Sequence, residues 1–179
     1  GGGIDWIVNA GFKEETLIPY LYPDFEEFEK AKLQIVYLGW FLGDWSLINN
    51  GAYSTLSGLE IRNDSPCNSG DLYGLTALDE DWVTLNQMIK YYKFGFGRAT
   101  DYVNEEIRLG RMTRKNGIRI VERYDGCCGE DYIKGFCKYL GISETFFWDK
   151  VHKNLNKKLF ELKPNGKILK KFEVGIGIR

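Results

Sequence analysis

Residues 90–114 read KYYKFGFGRATDYVNEEIRLGRMTR, and they combine glycine breaks, dense charge and helical periodicity in one stretch. Gly95 and Gly97 interrupt an aromatic run, which predicts a break between two helices. Thr100 or Asp101 can cap the second helix. Glycines beside a helix N-terminus are typical of an anion site, because a backbone without Cβ atoms lets a ligand approach unpaired N–H groups. The stretch therefore predicts a polar binding site at the start of a helix.

The sequence on both sides of this stretch predicts a mainly helical chain. Apolar residues recur at helical spacing, and each run is bounded by a Ser or Thr cap, a glycine or a turn. The clearest helices are predicted over residues 81–94, 101–109, 113–123, 130–140 and 144–153. Shorter helices are predicted over 13–31, a weak one over 45–59, and a loop over 62–81.

Two segments depart from the helical pattern. Residues 33–40 form a nearly continuous run of β-branched and aromatic side chains, which predicts one strand buried on both faces. Near the C-terminus, Pro164-Asn165-Gly166 separates two short extended runs and predicts a hairpin. We accordingly divide the chain into an α/β segment with two short helices and the strand, a helical domain, and a tail or hairpin: residues 1–44, 45–162 and 163–179.

Charge and hydropathy limit the classes of function. Lys and Arg total 24 against 25 for Asp and Glu, so the formal net charge is -1 and any anion site must be local. We therefore expect no nucleic-acid partner. The longest apolar run, within residues 33–45, is shorter than the roughly 20 residues that span a bilayer. The absence of a signal-peptide pattern predicts a cytoplasmic protein, and the opening glycines without Met suggest a piece of a longer chain.

The cysteines and the single histidine carry no clear motif. Cys67, Cys127, Cys128 and Cys137 lack paired C-x-x-C spacing, so the sequence predicts reduced thiols and no zinc site. His152 follows Lys150 on a predicted helix with no activating acid nearby, and we expect it to be exposed to solvent.

The charged residues after the glycine break share a surface. Asp101, Glu105 and Arg108 fall at i, i+4 and i+7, so they lie on one helical face. That face is either part of a binding site or an ordinary solvated face, where each ion pair contributes only about 0.3–0.5 kcal/mol. Arg98, which follows the segment Gly95-Phe96-Gly97, is a stronger candidate for ligand binding than Arg114.

A series of short motifs adds a family resemblance. In chain order they read YLGWFLGDW, LDEDW, KYYKFGFGRATD, EEIRLGRMTR, ERYDG and YLGISETFFWD. Together they resemble the C-terminal half of the N-acetyl sugar amidotransferases, which belong to the PP-loop ATP pyrophosphatase superfamily. The similarity covers most of residues 33–162, and its most specific part is KFGFGRATD…EIRLGRMTR.

The resemblance implies a fold and a reaction. The fold would be the helical C-terminal region of an α/β PP-loop enzyme, of the adenine nucleotide alpha hydrolase-like type. ATP would activate the carbonyl oxygen of a sugar N-acetyl group as an adenylated imidate, and ammonia would then displace AMP to leave an acetamidino group. The ammonia would come from a glutaminase partner and Mg²⁺ would organise the triphosphate. The pathway implied is bacterial lipopolysaccharide or O-antigen biosynthesis.

The resemblance also implies which residues bind substrate or phosphate. Arg98 and Lys93 would hold a phosphate or a sugar carboxylate, and Asp101 would orient Arg98 or contact Mg²⁺. The implied magnesium ligands are Asp79, Asp81 or Asp101, and no catalytic residue is specified. The full set of candidates is Lys93, Gly95, Gly97, Arg98, Thr100, Asp101, Glu105, Arg108 and Arg111.

The chain departs from the family pattern in three places. It has no S-G-G-x-D-S loop, whose backbone amides cradle the pyrophosphate, and no paired N-terminal cysteine motifs. The segment SGDLYGL, residues 69–75, stands where the family usually has an E-G-T-Y form. We therefore expect that these residues alone do not hydrolyse ATP.

Two other functions fit the helical pattern. Residues 113–151 superficially resemble a helix-turn-helix, although the last helix carries Glu144 and Asp149 beside its lysines, which is a poor DNA-reading face. A non-catalytic module that docks the glutaminase is also consistent with the helices. The polar motif at Arg98 favours the enzyme.

Overall fold

The computed structural model describes residues 4–178, and the chain is mainly helical, as predicted. It divides into two compact units, with the boundary between Gly43 and Asp44. No helix among the described residues is long and apolar enough to cross a membrane.

The first unit consists of short helices with little core. It contains α1 (Asp5–Asn9), a 3-10 helix (Glu14–Tyr20), α2 (Phe25–Ala31) and a second 3-10 helix (Leu38–Phe41). Leu17 is buried, whereas most large apolar side chains of this unit are exposed. Burial of apolar surface within this unit therefore contributes little to its stability.

The predicted strand over residues 33–40 is wrong. Residues 33–37 have no regular structure, and the 3-10 helix Leu38–Phe41 takes the rest of the segment. A strand needs a neighbour for its backbone N–H and C=O groups, and the described residues place none beside this segment. Ile35 is 75% exposed and Trp40 is 86% exposed, so the segment is not buried on either face. Residues 33–40 are mostly apolar, but apolar composition does not by itself specify a strand.

The second unit holds the remaining helices and two small antiparallel sheets. The predicted helices are confirmed, although the central one begins at Arg98, three residues earlier than expected. Their bounds are α3 (Leu47–Leu56), α5 (Trp82–Phe94), α6 (Arg98–Arg108), α7 (Arg114–Tyr124), α8 (Glu130–Leu140) and α9 (Glu144–Lys153). The short helix α4 (Pro66–Ser69) was not predicted, because it lies within the segment 62–81 predicted to be a loop.

The predicted C-terminal hairpin is confirmed. Strand β1 (Phe160–Leu162) pairs antiparallel with β2 (Ile168–Lys170) around the Pro164-Asn165-Gly166 turn. A second hairpin follows, in which β3 (Phe172–Glu173) pairs with β4 (Gly177–Ile178), and the sequence reasoning did not predict it.

The main core lies between α5, α8 and α9. Each of these helices contributes the apolar face that its periodicity predicts. The buried members are Leu85, Met88, Ile133, Cys137, Phe147 and Val151. This core fixes α5, whose C-terminal end leads into the Gly95–Gly97 break.

Helices α6 and α7 pack closely against each other at Gly117. A Cβ atom on Gly117 would lie 2.5 Å from Cγ1 of Val103 and 3.0 Å from Cδ1 of Ile107. The Val103 side chain cannot easily move away, because a β-branched residue in a helix has essentially one χ1 rotamer. The glycine therefore allows an approach that any larger residue would prevent.

This packing predicts opposite effects for the same substitution in two helices. Gly117→Ala should lower the free energy of unfolding by about 1–3 kcal/mol through overpacking, although alanine favours helix by about 1 kcal/mol. Gly135→Ala is the matched control, since a Cβ there would lie 3.6 Å from Trp82, at ordinary contact distance. That variant should be neutral or stabilised by up to about 1 kcal/mol. Urea denaturation measures both, and equal effects in the two variants would contradict the close crossing.

Candidate functional site

Asp71 organises the loop in front of α6. It is 2% exposed, and its Oδ1 accepts backbone N–H bonds from Tyr73 and Gly74, both at 3.0 Å, while Oδ2 accepts from Thr76 at 3.3 Å. The same Oδ2 lies 3.5 Å from Nη1 of Arg98. The loop 71–76 is thereby tied to the first residue of α6 by one buried carboxylate.

Arg98 is placed inside the protein by this contact. Its side chain is only 8% exposed and its guanidinium has an internal partner. A buried guanidinium without a partner would destabilise the fold. Removing either residue of the pair should therefore lower the free energy of unfolding. Ligand binding by Arg98 stays a prediction, and a ligand would have to compete with Asp71.

The aromatic side of the same loop packs against α6. Tyr73 and Tyr102 meet edge to face, with ring centroids 5.4 Å apart, and Thr76 Oγ1 hydrogen-bonds the Tyr102 hydroxyl. Burial raises the pKa of the Tyr102 phenol far above its usual value, so it stays protonated. Loop 71–76 therefore lies fixed on α6 by an ion pair and by an apolar contact.

The N-terminus of α6 is capped by a side chain from beyond the next helix. Asp125, which follows α7, accepts from the backbone N–H of Gly97 at 2.8 Å and of Thr100 at 3.3 Å. It also accepts from Thr100 Oγ1 at 2.7 Å. These bonds satisfy donors that a helix start otherwise leaves unpaired, and the carboxylate complements the positive end of the helix dipole. The anion at this helix start is thus a carboxylate of the protein itself.

The other end of α6 is tied to α3. Glu106 is buried and accepts from Arg111 at 3.0 Å and 2.6 Å in a bidentate pair. Arg111 also donates to Asn49 at 2.9 Å and to buried Ser46 at 3.1 Å. The neighbouring Glu105 accepts from the backbone N–H of Leu47 at 3.2 Å. Glu105 and Arg111, both predicted as ligand-binding, therefore hold the start of α3.

The remaining predicted charges lie at the surface. Asp101 accepts from Lys90 at 2.8 Å, and Arg108 is exposed. Lys93 is exposed, with its ammonium 5.5 Å from the centroid of the Phe94 ring. The predicted shared face of α6 is therefore divided among separate partners, and it does not converge on one point.

The predicted magnesium ligands do not belong to a cluster of metal-binding side chains within the described residues. Within residues 4–178, no group of three or more His, Cys, Asp or Glu side chains is placed to hold a metal ion. Asp79 is exposed, and Asp81 pairs with Arg62 at 2.6 Å. Asp101 is engaged by Lys90. Magnesium binding by one of these carboxylates together with substrate phosphates stays a prediction, and no chemical step is derived through the ion.

A cleft of about 420 Å³ lies beside the polar network, on the neighbouring face of α6. One wall is α6, one is α7, and the β3–β4 hairpin covers the length between them. Its size falls within the range of small-molecule sites. Aromatic, polar and charged groups suited to ligand binding line the cleft. They belong to Tyr91, Phe96, Thr100, Asn104, Arg114, Phe172, Glu173 and Gly175. Of the predicted site residues, Gly95 and Thr100 line it.

Sequence reasoning missed most of the cleft. Asn104 carries no charge, and Arg114 was ranked below Arg98 because it follows no glycine. A usable signal existed, since Thr100, Val103, Asn104 and Ile107 lie at i, i+3, i+4 and i+7 of α6. Residues 114, 117, 118 and 121 repeat that spacing on α7. Two helices that carry the same spacing of residues, one of them with a glycine in it, are predicted to pack face to face.

Comparison with known proteins assigns the region that builds this site. The profile described as "LPS biosynthesis protein WbpG-like, C-terminal domain" matches residues 71–173, more than half of the chain. The chain belongs to the WbpG-like C-terminal domain family. The match begins at Asp71 and ends at Glu173, so this family domain includes the loop on α6, the helix pair and most of the cleft. No curated protein matched the chain in a sequence search.

Proposed function

We propose that this chain is the C-terminal portion of an ATP-dependent amidotransferase that converts a sugar N-acetyl group to an acetamidino group. The family assignment supports a role in lipopolysaccharide biosynthesis. The motif resemblance to N-acetyl sugar amidotransferases supports the finer reaction. Because the reaction consumes ATP, the proposed location is the bacterial cytoplasm.

One observation carries the proposal. Two of the motifs, KFGFGRATD and ERYDG, are joined in space, because Asp125 of the second caps the helix that the first begins. The joined helices form two walls of a cleft of small-molecule size. Motifs that carry the family resemblance thus contribute residues to two walls of the cleft, among them Phe96, Thr100 and Arg114.

The chain would bind the sugar substrate of the reaction. ATP, held by a nucleotide-binding portion with the S-G-G-x-D-S loop, would supply the leaving group that makes the acetyl oxygen replaceable by ammonia. This chain would position the sugar, exclude water and present the acetyl group. A glutaminase partner would deliver the ammonia.

The exposed apolar segment of the first unit suits an interface with the nucleotide-binding portion. Residues 35–41 include Ile35, Val36, Tyr37, Trp40 and Phe41, which together line a shallow apolar groove. Contiguous apolar surface of this kind marks an interaction site in soluble proteins. We assign it to the α/β portion that carries the ATP loop.

The reaction is tested by separating the two portions. The purified chain, given ATP, magnesium, ammonium chloride and an N-acetylated nucleotide sugar, should form no AMP, because it contains no pyrophosphate-binding loop. A protein that contains both this region and the loop should form AMP and a sugar in which NH replaces the acetyl oxygen. Chromatography detects AMP and mass spectrometry detects the sugar product.

The controls separate the chemistry from the partner. Ammonium chloride replaces the glutaminase, so a missing partner cannot hide the reaction. Production of AMP by the chain alone would contradict the proposal that ATP is bound by the nucleotide-binding portion. A complete enzyme that consumes ATP but leaves every N-acetyl group intact would contradict the amidotransferase itself.

A further inference from the structure

The cleft between α6, α7 and the β3–β4 hairpin has two chemically different ends. The helices run antiparallel, because Asp125 after α7 reaches Gly97 and Thr100 at the start of α6. Ile107 and Arg114 therefore lie toward one end of the cleft, and Thr100 and Val121 toward the other. A ligand lying along the helices would meet a different environment at each end.

The end near Thr100 is aromatic. Tyr91, Phe96 and Phe172 line it, and the rings of Tyr91 and Phe172 are 6.4 Å apart, edge to face. Burial raises the pKa of Tyr91 to about 12, so the phenol is uncharged at neutral pH. Aromatic faces of this kind pack against the apolar face of a sugar ring or another flat ring.

The opposite end holds an exposed cation that is hydrogen-bonded to the hairpin. Nη2 of Arg114 donates to the carbonyl oxygen of Gly175 in the hairpin. A guanidinium has five N–H donors in a planar fork, so this bond orients the group and leaves donors for a second acceptor. Among the residues lining the cleft, all of which are described, Arg114 is the one cation.

Uncharged and acidic groups between these ends complete the lining. Within residues 4–178, the side-chain amide of Asn104 has no hydrogen-bond partner, although it faces the cleft. Glu173 contributes a carboxylate to the same lining. A ligand that suits an amide, an aromatic face and a guanidinium carries a polar group, a ring and an anionic group.

We propose that this cleft binds a small sugar with an anionic group, that Arg114 holds the anion, and that the ring packs on the aromatic end. The sugar part rests on the proposed function, whereas the requirement for an anion rests on Arg114. Arg114 then determines specificity, a role that the buried and paired Arg98 is poorly placed to fill. The anion is a phosphate or a carboxylate, since a guanidinium forms bidentate hydrogen bonds with both.

The test is a titration of the isotope-labelled chain, followed by NMR, with three probes. N-acetylglucosamine 1-phosphate carries a phosphate, glucuronic acid carries a carboxylate, and N-acetylglucosamine is uncharged. At least one charged probe should bind more tightly than the uncharged one and shift the signals of residues 100–121. Which charged probe binds more tightly identifies the anion.

Substitution of the guanidinium isolates its role. Arg114→Gln should weaken the charged probe about ten-fold or more and the uncharged probe much less, because the charge-assisted bond to the anion is lost. The bond to Gly175 is lost too, but its loss affects both probes alike. Arg114→Lys should recover part of the affinity, since it keeps the charge without the fork. Arg119→Gln is the matched control, because Arg119 is an exposed arginine of α7 outside the cleft lining. A thermal melt of each variant checks that the fold is intact.

Three results would overturn the proposal. They are no binding of any probe, equal affinity of the wild type and Arg114→Gln for the charged probe, or signal changes confined to residues outside the cleft. Binding requires neither ATP nor ammonia nor another protein portion. A failure of binding would therefore not decide whether the amidotransferase proposal is right. A lack of turnover would likewise not decide whether the cleft binds an anionic sugar.

Discussion

Replacing Asp71 with alanine is expected to lower the free energy of unfolding by about 3–5 kcal/mol, the largest effect of any substitution considered. The change strands the buried Arg98 guanidinium without its carboxylate and leaves the N–H groups of Tyr73, Gly74 and Thr76 without their acceptor. Each loss costs the full desolvation of the group left behind. Urea denaturation followed by circular dichroism measures the effect.

A control variant and a double-mutant cycle separate the loss of the Asp71–Arg98 ion pair from a general disruption of the loop. Asp79→Ala removes an exposed carboxylate a few residues away and should change stability by less than about 0.5 kcal/mol. The double variant Asp71→Ala/Arg98→Met should be more stable than the sum of its single variants predicts, because it no longer buries an unpaired charge. If Asp71→Ala and Asp79→Ala cost the same, the buried pair has no special role.

Replacing Asp125 with alanine should cost about 2–3 kcal/mol, the second largest effect. It removes a helix cap, worth about 1 kcal/mol, together with a charged acceptor for the Thr100 hydroxyl and the Gly97 N–H. Because the same carboxylate joins the ends of α6 and α7, the cleft should widen at its aromatic end. Denaturation measures the stability, and the NMR titration described above measures the cleft.

Asp101→Ala is the matched control for the cap. It removes an acidic residue from the first turn of the same helix, but its pair with Lys90 is exposed and should contribute no more than about 1 kcal/mol. Asp125→Asn keeps an oxygen acceptor and should fall between the wild type and the alanine variant. Tolerance of Asp125→Ala at the level of Asp101→Ala would refute the cap as the link between the two helices.

The helices could be predicted well because their signals are local. Thr113 and Ser143 cap α7 and α9 as N-cap residues, and Gly95 and Gly141 end α5 and α8 in the left-handed conformation. Each of these positions can be recognised within a few residues of sequence. The strand over residues 33–40 failed because a strand depends on a neighbour that the described residues do not supply.

The site was harder to predict because its important pairs are distant in sequence. Asp125 caps a helix that begins 27 residues earlier, and Asp71 reaches Arg98 across a loop and a helix. Sequence spacing identified Asp101, Glu105 and Arg108 as a shared face, but tertiary packing gave two of them separate partners. Arg114 ends the motif EEIRLGRMTR, but nothing in the local sequence separates it from the other cations there, and the contact with the hairpin does.

The small size of the second hairpin sets how the cleft exchanges its contents with solvent. Strands β3 and β4 have two residues each, and Ile176 in the turn and Ile178 at the open end are largely exposed. An isolated two-stranded hairpin is marginally stable, so this wall should open by local unfolding at a much lower free energy than the α6–α7 pair. Entry and exit would then be fast motions of this hairpin, while the helical floor stays closed. Backbone amides of residues 172–178 should therefore exchange hydrogen well before those of α6.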